Sequence, residues 1–128
     1  MPATATASPE ARLSRERFAE HTVIAIAGEL DIASTPSLRE RLHTALRDTG
    51  PYVVIDLAGV TFCDASGLAL LVDARRRTEP KGTTVVLAAP RPQMARLLRL
   101  TGLARVFTIR SSVTAARLPR TGTRSAAA

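Results

Sequence analysis

Two short segments carry the side chains best suited to chemistry. Phe62-Cys63-Asp64-Ala65-Ser66-Gly67-Leu68 brings together a thiol, a carboxylate and a hydroxyl. Gly28-Glu29-Leu30-Asp31, followed by Ser34 and Thr35, sets carboxylates beside hydroxyls. An Asp or Ser oxygen just before a helix accepts the unpaired backbone N–H groups of the first turn, so capping is the plainest role for either segment. Ser66 has a second role open to it, as a phosphate acceptor. A phosphate at a helix start would face free N–H groups and the positive dipole end. It would also add about −1.5 to −2 charges beside Asp64, which switches the local potential without requiring a change of fold.

The other reactive side chains assemble into no catalytic set. Cys63 precedes Asp64, whose charge opposes thiolate formation, and the place a Cys-x5-Arg phosphatase loop reserves for Arg is Ala69. Cys63 therefore reads as a small buried hydrophobe. His21 falls in a predicted turn and His43 on the polar side of a predicted helix, so both are expected at the surface without a partner for base catalysis. Gly28 and Gly59 form neither a dinucleotide fingerprint nor a P-loop. A receiver-type phosphoacceptor needs a lysine at the carboxyl end of a strand, whereas the single lysine, Lys81, precedes one. One Cys and two His leave no zinc set. An enzyme built on Asp31, Asp64 and Cys63 has no base, metal set or oxyanion motif to support it.

Alternating strands and helices must position these groups. Residues 12–18 alternate in polarity and residues 23–27 are continuously apolar, which predicts two paired strands, the first an edge. Gly28 to Asp31 close the second. Ser34, Thr35 and Pro36 signal a helix start, and Ser37 with Glu40 has capping-box spacing. Leu38, Leu42, Ala45 and Leu46 mark its buried face, and Thr49-Gly50-Pro51 stops it. Residues 52–57 are the strongest strand, with Val53, Val54 and Ile55 buried on both faces, and residues 59–64 lead out of it. Leu68, Leu71 and Val72 then show helical spacing, ending in Arg75-Arg76-Arg77 at the negative helix end. Residues 79–82 form a loop and residues 83–89 another buried strand. Pro90 and Pro92 bracket a third helix start, Met94, Leu97 and Leu98 form its stripe, and Gly102 is its C-cap. Residues 106–109 are a last short strand, and residues 112–118 a final helical turn or two. The sum is an α/β domain with a largely parallel sheet. Ligands of such sheets collect beyond the carboxyl ends of the strands, where both chemical segments fall.

The chain has 128 residues, 45% of them hydrophobic, enough for one globular domain with its own core. No apolar run approaches the roughly 18 residues of a membrane span. Residues 1–8 lack the basic start and apolar stretch of a signal peptide. The net charge of +7 invites a nucleic-acid or acidic-membrane reading, but 17 of the 18 basic residues are Arg, the mark of a Lys-to-Arg coding bias. Residues 111–128 hold +3 of that charge with no acidic group, on a Gly/Ser/Thr/Ala-rich tail. The predicted organisation is a flexible segment over residues 1–11, a folded domain over 12–117 and a flexible basic tail over 118–128.

Gly28-Glu29-Leu30-Asp31, Val54-Ile55-Asp56-Leu57 and Val60-Thr61-Phe62-Cys63-Asp64-Ala65-Ser66-Gly67-Leu68 resemble, in order and spacing, the STAS domain of bacterial anti-sigma factor antagonists. The resemblance covers residues 12 to 117. It implies a single STAS-like domain, a mixed, mostly parallel sheet of about five strands flanked by helices. It also implies a cytoplasmic regulator that is not an enzyme and uses no cofactor. Such a protein binds an anti-sigma factor of the GHKL serine-kinase type and frees the sigma factor. The kinase phosphorylates the hydroxyl before the Gly, here Ser66, which ends binding, and a PP2C-type phosphatase restores it. Asp31, Ser34, Thr35, Asp64, Ser66 and Gly67 match the partner-binding surface, with no direct nucleic-acid or membrane contact expected. Many members carry two hydroxyls before the Gly. Ala65 removes one, so Ser66 is the only hydroxyl left between Asp64 and the Gly. Two other readings stay open: a STAS subunit of a stress-sensing or small-ligand regulatory complex, and a basic nucleic-acid-associated protein. The last predicts Arg clusters on one structured face and salt-sensitive DNA binding.

Overall fold

The structure, a computed structural model, describes residues 11–117. Of the predicted flexible segments 1–11 and 118–128, residues 1–10 and 118–128 lie outside the described residues, and only Ala11 is described. Ala11 is packed, its carbonyl accepting from Arg41 at 3.1 Å. In chain order the elements are β1 (Arg12–Arg17), β2 (Thr22–Leu30), α1 (Thr35–Ala45), β3 (Tyr52–Cys63), α2 (Ala65–Thr78), β4 (Thr84–Ala88), α3 (Pro92–Leu100), β5 (Thr108–Arg110) and α4 (Val113–Arg117). Short 3-10 turns over Glu79–Lys81 and Leu103–Arg105 precede β4 and β5.

The sheet runs β1-β2-β3-β4-β5 in order, with β1 antiparallel to β2 and every other pair parallel. The α/β class and mixed sheet expected from the sequence are therefore what the chain forms. Three parallel crossovers stepping the same way put α1, α2 and α3 on one face. The core lies there, with Leu38 and Leu42 of α1, Leu70 and Leu71 of α2 and Met94 and Leu98 of α3 against Ile24, Ile26, Val53, Ile55 and Leu87. A smaller cluster of Val23, Val54, Val86 and Ala88 on the opposite face is covered by Ala116 of α4. Tyr52 secures that helix by donating to the Ala116 carbonyl at 2.6 Å. Val53, Val54 and Ile55 are fully buried, as their continuous apolar run predicts for a strand covered on both sides.

Edge strand β1 is held by arginines. Arg15 donates to the carbonyls of Ala45 at 3.0 Å and Asp48 at 2.9 Å, which closes the C-terminal end of α1. Arg17 donates to the Thr49 carbonyl just beyond.

One strand boundary differs by more than two residues from the sequence expectation. The strand begun at Tyr52 does not end at Leu57 but continues through Gly59 to Cys63. The β2–β3 register shifts between Ala25 and Ala27 and again between Gly28 and Glu29, and pairing resumes to Leu30↔Cys63. Gly59 allows the approach, since a Cβ there would lie 2.7 Å from the Ala27 Cβ. The capping-box pair Ser37 and Glu40 lies inside α1 and caps nothing.

Candidate functional site

β2 and β3 end side by side, so the two chemical segments share one end of the sheet. Leu30 pairs with Cys63, and the Asp64 N–H donates to the Leu30 carbonyl at 3.1 Å. Each strand then turns into a helix with an aspartate at the turn, and the two aspartates work in the same way.

Asp64 is the N-cap of α2 in extended backbone. Its Oδ1 accepts from the backbone N–H of Ser66 at 2.8 Å and of Gly67 at 3.4 Å. The same oxygen accepts the Ser66 hydroxyl at 2.5 Å. That hydroxyl bond, helped by the two backbone donors, holds the Asp64 carboxyl below its ordinary range against a partial desolvation that opposes it. The free N–H groups foreseen for a phosphate are thus already bound by a carboxylate.

At the first junction Asp31 Oδ1 accepts from Ala33 N at 3.1 Å and Ser34 N at 3.0 Å, closing the turn before α1. Ser34 stands at the N-cap position but makes no side-chain cap bond. Its hydroxyl instead donates to the Glu29 carbonyl at 2.7 Å and accepts from Asp31 N at 3.0 Å. Thr35, expected on the surface, is 3% exposed and out of a partner's reach. Gly67 is buried too, so its contribution is packing. Asp31, Ser34, Asp64 and Ser66 remain half-buried at the surface.

Three features were not read from the sequence. Gln93, near the start of α3, clamps the last residue of β3: its amide accepts from Cys63 N at 3.1 Å and donates to the Cys63 carbonyl at 3.0 Å. This supplies the partners that the shorter β4 cannot. Ile32 at 79% exposure and Phe62 at 43% are apolar side chains left open beside the two aspartate turns. His43 does have a partner, Asp73 of α2, at 2.7 Å, which joins α1 to α2. No motif marks any of these, because each depends on which elements become neighbours.

His43 is the leading cause of a lowered Asp73 carboxyl, with Arg77 at 3.3 Å adding to it. Asp64 and Asp73 therefore give the domain an acid limit. The unfolded chain takes up these protons near pH about 4, whereas the folded chain takes them up only at lower pH. Their contribution is present above that value and is lost as pH falls through the lowered folded pKa values. Urea unfolding at pH 6 and pH 3 should show that loss, and Asp64→Asn with Asp73→Asn should flatten it. An undiminished drop in the double variant would place the acid sensitivity elsewhere.

Cys63 is 1% exposed, and its thiol pKa is pushed up to about 12, first by burial and second by the Asp64 charge. It should resist a colorimetric thiol reagent at neutral pH in the folded protein and react fully in denaturant. Rapid labelling of the native protein would contradict its placement. His21 is stacked on Phe18 at 4.8 Å and accepts from Arg117 at 3.1 Å. Burial, then Arg117, lowers its pKa.

The fold and this site define an α/β module in which a capped serine is presented at a strand-to-helix turn. The STAS domain family model matches residues 12–116, and the chain belongs to that family. The chain is 30% identical over 97 residues to an anti-sigma-B factor antagonist of Listeria monocytogenes, across 76% of this chain and 85% of the relative. The crystal structure of an anti-sigma factor antagonist from Mycobacterium paratuberculosis superposes with a TM-score of 0.77 at 27% identity, covering 84% of this chain and 92% of the other. The Bacillus cell fate determinant SpoIIAA in its phosphorylated form shares the fold, with a TM-score of 0.63 at 22% identity over 82% of this chain and 96% of that one.

Proposed function

We propose that this protein is an anti-sigma factor antagonist: it binds an anti-sigma factor of the GHKL serine-kinase type and thereby frees the sigma factor. Phosphorylation of Ser66 switches that binding off, and a PP2C-type phosphatase restores it. The observation that carries the reading is the Ser66 hydroxyl, half-buried at the strand-to-helix turn and bonded to Asp64 at 2.5 Å. The similarity to named anti-sigma factor antagonists supports the same role.

The chemistry of the switch follows from that bond. Unmodified, Ser66 donates to Asp64 and helps neutralise the cap. A phosphoserine cannot donate from that oxygen and brings a dianion against the carboxylate. Asp64 must then share or leave the N–H groups of Ser66 and Gly67, and a partner closing over this end would bury unpaired charge. Ile32 and Phe62 supply apolar surface for the same contact, and Asp31 lies at its rim. No step here needs catalysis or a cofactor from this chain.

Incubation with the cognate kinase and ATP, followed by mass spectrometry, tests the acceptor. Phosphate is expected on Ser66. Modification elsewhere with Ser66 intact would sink the assignment.

A further inference from the structure

The charge of this protein is divided along the chain. Residues 1–79 hold nine basic and eleven acidic groups, a net −2, whereas residues 80–128 hold nine basic groups and no acidic one. A Lys-to-Arg bias explains why the basic groups are arginines, but it does not remove every carboxylate. The second half builds β4, α3, β5 and α4, so within residues 80–117 the acid-free stretch is one edge of the sheet with its helices.

Most other arginines have structural work. Arg15, Arg17, Arg41 and Arg91 each donate to a backbone carbonyl. Arg39, Arg75 and Arg77 meet carboxylates. Arg96, Arg99 and Arg105 are exposed and have neither kind of partner among the described residues. Leu100 at 71% exposure and Val106 at 46%, the residues that follow Arg99 and Arg105 in the chain, are exposed aliphatic side chains. α3 starts at the Ser66 end, where Gln93 clamps Cys63, and Leu100 lies about 10 Å further along its axis.

We propose that this α3–β5 edge is a surface for an anionic lipid bilayer. Two observations select that occupant. A protein partner needs charge only where it touches, whereas an extended polyanion senses every group within a Debye length of about 8–10 Å. Four successive elements that carry no acidic residue of their own suit the latter, the neighbouring Asp56 and Asp64 belonging to the β3 end where α3 starts. Nucleic acid and anionic membrane share that property. The exposed Leu100 and Val106 decide between them, since aliphatic side chains gain by entering the acyl boundary while arginines stay at the phosphates. The sequence expectation of no membrane partner takes the basic balance for an Arg-rich composition with a loose tail; that weighing leaves out the acid-free run of residues 80–117. The surface stands apart from Ser66, so this inference does not depend on the phospho-switch.

Sedimentation of the full chain with phosphatidylcholine vesicles, with and without one-third phosphatidylglycerol, tests it. Binding only to the anionic vesicles, weakening as salt rises, is expected. Arg96→Glu/Arg99→Glu/Arg105→Glu should weaken it at least about tenfold, and Leu100→Gln should weaken it at unchanged charge. Thermal melts should change little, because all four side chains are exposed and, of the three arginines, only Arg99 complements the C-terminal end of α3. The proposal is overturned by no binding to anionic vesicles, or by binding that survives the triple substitution and is instead lost on replacing Arg120 and Arg124. Tighter binding to a short DNA duplex at equal salt, indifferent to Leu100→Gln, also overturns it and favours the nucleic-acid reading.

Discussion

Replacing Gly67 by alanine is expected to destabilise the domain by about 1–3 kcal/mol. The added Cβ would sit 2.6 Å from Cys63 Sγ, 2.8 Å from Leu30 Cβ and 3.2 Å from the Leu30 carbonyl. The Cys63 thiol can rotate, but the Leu30 atoms cannot retreat, because Leu30 is paired with Cys63 and its carbonyl accepts from Asp64. The start of α2 must move instead, carrying Ser66 and the Asp64 cap with it. Helix propensity alone favours alanine over glycine by about 1 kcal/mol, so a net loss shows that the clash outweighs it. Chemical denaturation of the two proteins measures the difference. Cys63→Ala in the same chain should restore only part of the loss, since the contact with Leu30 remains. A neutral or stabilised Gly67→Ala protein would mean that α2 does not start this close to the sheet.

On the reading proposed above, Ser66→Asp should bind the cognate kinase at least about tenfold more weakly, and Ser66→Ala should bind without being switched. The substitution to aspartate sets a second carboxylate beside Asp64, which already holds the helix N–H groups. That mimics the charge of the phosphate, although not its size or its full −2. Ser66→Ala removes the largest cause of the low Asp64 pKa, so Asp64 should move back toward the ordinary carboxylate range. Calorimetric titration against the kinase reads the first effect, and carboxyl NMR titration the second. Equal affinity of the Ser66→Asp variant and the parent protein would remove the switch. An unshifted Asp64 in the Ser66→Ala variant would show that the hydroxyl bond is not what lowers it.

Much of this site was readable along the chain. Asp64 before Ser66-Gly67 is an N-cap signal, and it caps α2 as such a signal should. Leu38, Leu42, Ala45 and Leu46 lie at helical spacing, and all are buried. Cys63 is the buried hydrophobe that its acidic neighbour suggests. Each of these depends on residues within about two helical turns of one another. At the first junction the same reasoning chose the wrong group. Ser34 occupies the cap position, but Asp31 closes the turn, because the Ser34 hydroxyl is drawn back to Glu29. Both side chains suit the task by type, and only the path of the chain after β2 selects between them.

Local pattern by itself determined the order of the elements, their buried faces and the block that presents Ser66. Periodicity, caps and breakers act over a few residues and leave a direct trace in the sequence. Tertiary structure alone decided the rest. β3 runs on to Cys63 because β2 is there to pair with it, past a register shift that no composition announces. Gln93 becomes the clamp on Cys63, His43 the partner of Asp73, and Thr35 a buried residue, only when separate elements are brought together. Ile32, Phe62, Leu100 and Val106 look like core residues in the sequence and are left exposed because the core is filled without them. A hydrophobic side chain states only that it gains by leaving water; which surface it leaves water for is settled by its neighbours in space.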